Sequence, residues 1–214
     1  MAFGEVGTSL SKIKANSLNL AGTFGFSGTV TGLADETPLV LISTFTSDGS
    51  DATASFTSGI DSTYKEYLFV FNNIHAETDD KHLTFQTSTN GGSSYGVTLT
   101  NTNFSARLRE DDGYNALAYT DNDVAQGTGF AVIGEGFGNA NDCSGSGFLR
   151  LYNPSSTTFV KHYVSQVQYM NFQPASVSYF TAGYFNTTSA INAVQFKMVS
   201  GEIQGGTIDL FGVV

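Results

Sequence analysis

No stretch of this chain repeats an apolar residue every three or four positions between a recognisable start and stop, so helices are not its building units. What recurs is a period of two. In 64–73, Tyr67, Phe69 and Phe71 share one side while Leu68 and Val70 take the other. Leu83 and Phe85 alternate within 81–89, and Asn90-Gly91 follows as a hairpin signal. Further strands are expected at 38–45, 95–99, 115–119, 129–133, 147–152, 158–169, 177–185, 192–199 and 207–213. The dense apolar run Leu39-Val40-Leu41-Ile42 reads as the first buried strand of the main domain. In 160–166 the alternation does not assign a buried face. Short strands at this spacing predict an all-β, jelly-roll-like antiparallel β-sandwich of eight to ten strands.

Composition agrees. The chain has 24 Gly and only 3 Pro, with 18 Phe, 10 Tyr and no Trp, which suits short strands joined by turns. At 40% hydrophobic and 13% charged residues it is not a disordered chain. Its 214 residues can bury a core without disulfides or a metal. A net charge of −10, with 9 scattered Lys and Arg, argues against nucleic acid as a partner. No apolar run approaches the roughly 20 residues of a membrane span, so no membrane insertion is expected. The start lacks a basic segment followed by an apolar one, so no signal peptide is expected either.

Residues 1–37 differ from the rest. Ile13, Leu18 and Leu20 lie in an alternating stretch, after which Gly22, Gly25, Gly28 and Gly32 interrupt Phe24, Phe26 and Val30. Such a segment has too few large side chains for a core of its own. It is expected to be an extended N-terminal attachment arm, using Ile13, Leu18, Leu20, Phe24 and Phe26, ahead of a head domain over 38–214.

No catalytic constellation emerges. Cys143 sits in a small-residue run without an adjacent cation to lower its pKa. His75, His82 and His162 lack the spacing of a zinc site. The acidic turns around Asp48, Asp79, Asp111 and Asp121 lack a calcium-loop signature. Gly134-Glu135-Gly136-Phe137-Gly138 has no Gly-Lys-Ser/Thr ending and reads as a flexible loop. The expectation is a protein that is not an enzyme, with no cofactor and no metal. Sugar recognition is the remaining chemistry, because amides and carboxylates pair with hydroxyls while aromatic rings stack on sugar rings. Tyr114, Asn115, Tyr119, Asp121 and Asn122 form the candidate glycan-contact loop.

Several blocks carry a resemblance. Phe56-Thr57-Ser58-Gly59-Ile60-Asp61-Ser62-Thr63-Tyr64 and Tyr67-Leu68-Phe69-Val70-Phe71-Asn72-Asn73-Ile74 resemble segments of virion structural proteins of tailed, especially marine, bacteriophages. So do Leu151-Tyr152-Asn153-Pro154, Ala182-Gly183-Tyr184 and Ala193-Val194-Gln195-Phe196-Lys197, while Ala15-Asn16-Ser17-Leu18-Asn19-Leu20 resembles their N-terminal lead. The resemblance spans most of the chain. It implies a short fibre or a capsid decoration (cement) protein with a β-sandwich head, assembled in the host cytoplasm and located on the virion. Its implied partners are copies of itself as a homotrimer, and the major capsid protein or tail and portal-vertex proteins. The alternative is a receptor-binding tail fibre or spike whose head reads host surface glycans.

Overall fold

Strands whose every second residue is apolar are stable only when that face meets another apolar face. The computed structural model describes residues 38–214, and in it twelve strands solve the problem by packing as two sheets. They are β1 (Leu39–Thr46), β2 (Ala54–Phe56), β3 (Glu66–Ala76), β4 (Lys81–Ser88), β5 (Leu99–Arg109) and β6 (Asn115–Tyr119), then β7 (Ala131–Phe137), β8 (Ser144–Tyr152), β9 (Lys161–Met170), β10 (Ala175–Phe185), β11 (Ala193–Met198) and β12 (Ile203–Val213). No helix occurs among the described residues. One sheet has eight strands in the order β1-β12-β3-β8-β9-β10-β5-β6, and the other has four, β2-β11-β4-β7. Every named pairing is antiparallel.

Setting aside the β5–β6 and β9–β10 pairs leaves β1-β12-β3-β8 facing β2-β11-β4-β7. Numbered afresh, that is 1-8-3-6 against 2-7-4-5, the two interlocked Greek keys of a jelly roll. The fold is therefore an antiparallel β-sandwich of jelly-roll topology. The two extra pairs widen one sheet only, building a four-stranded wing of β9, β10, β5 and β6 beyond β8.

The core is aromatic. Phe196 of β11 has its ring centroid 5.1 Å from Phe69, 5.2 Å from Phe71, 6.1 Å from Phe56 and 6.0 Å from Phe85. It thus joins both sheets through edge-to-face and stacked contacts. Phe137 stacks on Tyr169 at 4.3 Å, a contact possible because Gly145 lies alongside: a Cβ there would meet the Phe137 ring at 2.5 Å. The phenols of Tyr163, Tyr169 and Tyr179 are buried, which pushes their pKa values up, that of Tyr179 to about 12.

Several expectations are corrected. The 38–45 run is a strand, but β1 is an edge strand with Leu39 and Leu41 exposed, because β12 covers only one of its sides. Residues 95–98 form no strand, and β5 begins at Leu99 and runs to Arg109. Asn90-Gly91 does not close a hairpin, since β4 and β5 belong to different sheets. The turn is instead knotted by Ser88, whose Oγ accepts from the amides of Asn90 and Gly92, both at 3.1 Å. The segment 134–137, expected as a loop, continues β7. Its Gly136 has φ 71°, and Phe137 is fully buried. The three-residue β2 and the total of twelve strands exceed the sequence reading. On β9 the face is now assigned: Lys161, Tyr163, Ser165 and Val167 point inward. The buried Lys161 ammonium donates to the Thr187 carbonyl at 2.9 Å, and burial lowers its pKa. The arm residues Ile13, Leu18, Leu20, Phe24 and Phe26 lie outside the described residues.

Candidate functional site

Within the wing, β5 reverses the usual polarity of a strand. On β5 the inward positions are Asn101, Asn103 and Ser105, all buried, while Phe104, Ala106 and Leu108 point out. Part of the polar inner row is hydrogen-bonded by the segment after β6. Asn101 accepts from the Val124 amide at 2.6 Å and donates to Asn103 at 3.0 Å, and Thr120 and Tyr179 share a hydrogen bond of 2.9 Å. Arg107 reaches from the same row to an ion pair with Glu135. Among the described residues the Asn103 amide nitrogen and the Tyr163 hydroxyl are buried without a partner, while Phe104, Leu108, Leu117 and Tyr119 stand exposed on the outer side.

The strand register places these groups in rows. Phe180 of β10 pairs with Phe104 of β5, which pairs with Tyr119 of β6. The Phe104 and Phe180 rings stack at 4.8 Å, only 7° from parallel. One row over, Ala182 lies between Val164 and Thr102. Beyond it stand Tyr184 and His162, 6.1 Å apart. The small Ala182 between taller aromatic rows makes an open groove of about 400 Å³, bordered by Thr100, Thr102, His162 and Tyr184. At its rim Gln126 donates to Thr100 Oγ1 at 2.7 Å and to the Tyr184 hydroxyl at 3.1 Å, and Asn186 donates to Gln126 at 2.7 Å. These amides hold Tyr184 in place.

The outward residues of the four wing strands include no Asp, Glu, Lys or Arg. That is a marked bias in a chain carrying 19 acidic residues.

The candidate glycan-contact residues are divided by this geometry. Asn115 begins β6 and Tyr119 ends it, so the strand holds them roughly 13 Å apart. Tyr114 stands with Arg107, Arg109, Gln173 and Pro174 around a depression at the β6 start. Tyr119 donates to Asp123 at 2.9 Å, and that carboxylate raises the pKa of the phenol. Asp121 is exposed and Asn122 half-buried in the turn just beyond. The groove residues His162, Ala182 and Tyr184 were not singled out from sequence, because only the pairing of β9 with β10 brings them together.

The other suspected chemistries take ordinary places. His75 contacts the Ala140 carbonyl through Nε2 at 2.9 Å, and His82 Nδ1 accepts from the Gly136 amide at 3.0 Å. The Asp48 carboxylate accepts from the Ser50 amide and hydroxyl, which lowers its pKa. Cys143 is buried, and burial pushes its thiol up, away from the reactive thiolate. Among the described residues no three His, Cys, Asp or Glu side chains gather as a metal site.

No family model matches the chain, and no curated protein matches it.

Proposed function

We propose that the chain is a non-enzymatic structural protein of a bacteriophage particle surface, a capsid decoration (cement) protein or a short fibre, held to the particle by residues 1–37. The observation that carries this reading is the charge-free outer face of the wing. Protein contacts deplete charge at their centre, because desolvating an ion costs more than neutral or apolar groups do. A head with a broad neutral face and an acidic remainder suits a chain that meets protein on one side and water on the other. The sequence blocks that resemble phage structural proteins favour a virion as the place where this happens. The partners are then the major capsid protein or the tail and portal-vertex proteins, together with further copies of the chain. The resemblance makes the expected self-assembly a homotrimer.

Cryo-electron microscopy of purified particles of the source phage tests the location. Density for the head on the icosahedral shell is the expected result, and a chain lacking residues 1–37 should fold but fail to attach. Absence of the chain from particles, or unchanged attachment without the arm, would overturn the reading.

The groove over Ala182 favours a second reading, a receptor-binding head that recognises host surface glycans. A sugar ring lying on Ala182 would be flanked by the Tyr184 and Phe180 rings, with the Thr100 and Thr102 hydroxyls in reach. If the groove serves this role, Tyr184→Ala should weaken glycan binding about tenfold through loss of stacking worth ~1.5 kcal/mol. An array on which wild type binds no glycan would remove this alternative.

A further inference from the structure

An unpaired sheet edge offers its backbone groups to any strand that can reach it, and proteins usually blunt such edges. Among the described residues the two sheets have four edges, and three of them are blunted. β1 follows Pro38 and carries a bulge between Leu41 and Ser43. β2 is three residues long. β7 breaks register twice against β4. The fourth edge, β6, pairs with β5 over five consecutive residues without a shift, and contains neither proline nor charge.

The direction of its free groups follows from the pairing. The Arg109 amide donates to the Tyr114 carbonyl and the Thr120 amide to the Asn103 carbonyl. Residues 114, 116, 118 and 120 therefore face β5, and by alternation Asn115, Leu117 and Tyr119 turn their amides and carbonyls to the open side. Their side chains stand on the outer face beside Phe104 and Leu108. Exposure is 77% for Leu117, 60% for Tyr119, 50% for Leu108 and 46% for Phe104. Together these four leave roughly 450 Å² of largely apolar surface, more than half the ~800 Å² each partner buries in a stable interface.

We propose that β6 is the contact between two copies of this chain, pairing antiparallel with its own counterpart across a two-fold axis at Leu117. The strand is suited to this by symmetry. Leu117 meets Leu117, and Asn115 of each copy lies opposite Tyr119 of the other, so both sets of free backbone groups are satisfied by identical chemistry. The two eight-stranded sheets become one continuous sheet, and the Leu108, Phe104 and Tyr119 faces adjoin across the seam. The acidic turns at either end, Asp111 and Asp112 before β6 and Asp121 and Asp123 after it, then approach those of the partner. Their repulsion confines pairing to the five-residue strand, and added salt should tighten the contact.

This inference stands independently of where the chain works, and its two-fold contact competes with the threefold assembly that the resemblance implies. Light scattering and sedimentation of the full chain at micromolar concentration test it. The expected mass is twice that of the 22.7 kDa chain. Leu117→Lys should convert the dimer to monomer with an unchanged circular dichroism spectrum, since the side chain packs against little of its own fold. Leu41→Lys, at a site 57% exposed on the bulged opposite edge, should leave the dimer intact. Hydrogen exchange should find the Leu117 and Tyr119 amides protected in wild type and fast in Leu117→Lys. A monomeric wild type, a trimer with fast exchange at Leu117, or a dimer indifferent to Leu117→Lys would each overturn the proposal. The virion reading would survive all three.

Discussion

Phe196→Ala should destabilise the head by roughly 3–5 kcal/mol, the usual cost of deleting a buried aromatic ring. The ring is fully buried and has aromatic contacts with Phe56, Phe69, Phe71 and Phe85, two of them in each sheet. Three of its four neighbours, Phe69, Phe71 and Phe85, are held on β3 and β4, which are flanked by a strand on each side, so the cavity cannot close by a local shift, and the lost dispersion is not recovered. Small domains are stable by about 5–15 kcal/mol, so this one substitution would consume a large share. Urea denaturation of the full chain checks it: the midpoint should fall with the slope unchanged. A change under about 1 kcal/mol would mean that the two sheets do not meet at this ring.

Gln86→Leu, nearly isosteric, should cost about 2–4 kcal/mol for a different reason. Gln86 is fully buried on β4, and its amide nitrogen donates to the carbonyls of Val97, Thr128 and Gly129 at 3.2, 3.1 and 2.9 Å. Its Oε1 accepts from the Thr87 amide at 2.7 Å. Two irregular segments, one before β5 and one before β7, are thereby tied to a single side chain. Leucine would fill the volume and leave those backbone groups buried without partners, which is the expensive outcome. Hydrogen exchange should rise first in 94–98 and 127–130, before the sheets open. A variant as stable as wild type would show that water replaces the amide, and that the segments are held by something other than Gln86.

The jelly-roll part of the fold was readable because its strands obey the alternation rule. Tyr67, Phe69 and Phe71 on β3, and Leu83 and Phe85 on β4, announce which side is buried before any partner is known. Of the wing, the strands expected at 115–119, 158–169 and 177–185 are present as β6, β9 and β10, whereas β5 was not readable beyond Leu99, since it breaks that rule. An observer of Thr100, Asn101, Thr102, Asn103 and Phe104 sees polar residues on both sides and one aromatic. The strand's partners come from a later segment: Val124 bonds both the backbone and the side chain of Asn101, and the Thr120 amide donates to the Asn103 carbonyl. The same holds for Gly134–Phe137. Its glycines signal a loop until Tyr169, arriving from β9, stacks on Phe137 and donates to the Glu135 carbonyl at 2.6 Å.

Sequence alone determined the class of this protein: strands without helices among the described residues, an aromatic core from residues spaced two apart, and a strongly acidic chain. Those are local properties, set by side-chain periodicity and by the charge each residue carries wherever it lies. Tertiary structure alone decided that Phe180, Phe104 and Tyr119 form one row, that Ala182 opens a groove between aromatic walls, and that β6 ends its sheet among the described residues. These depend on which strands become neighbours. That choice is made by the summed burial of the whole sandwich, and no single segment encodes it.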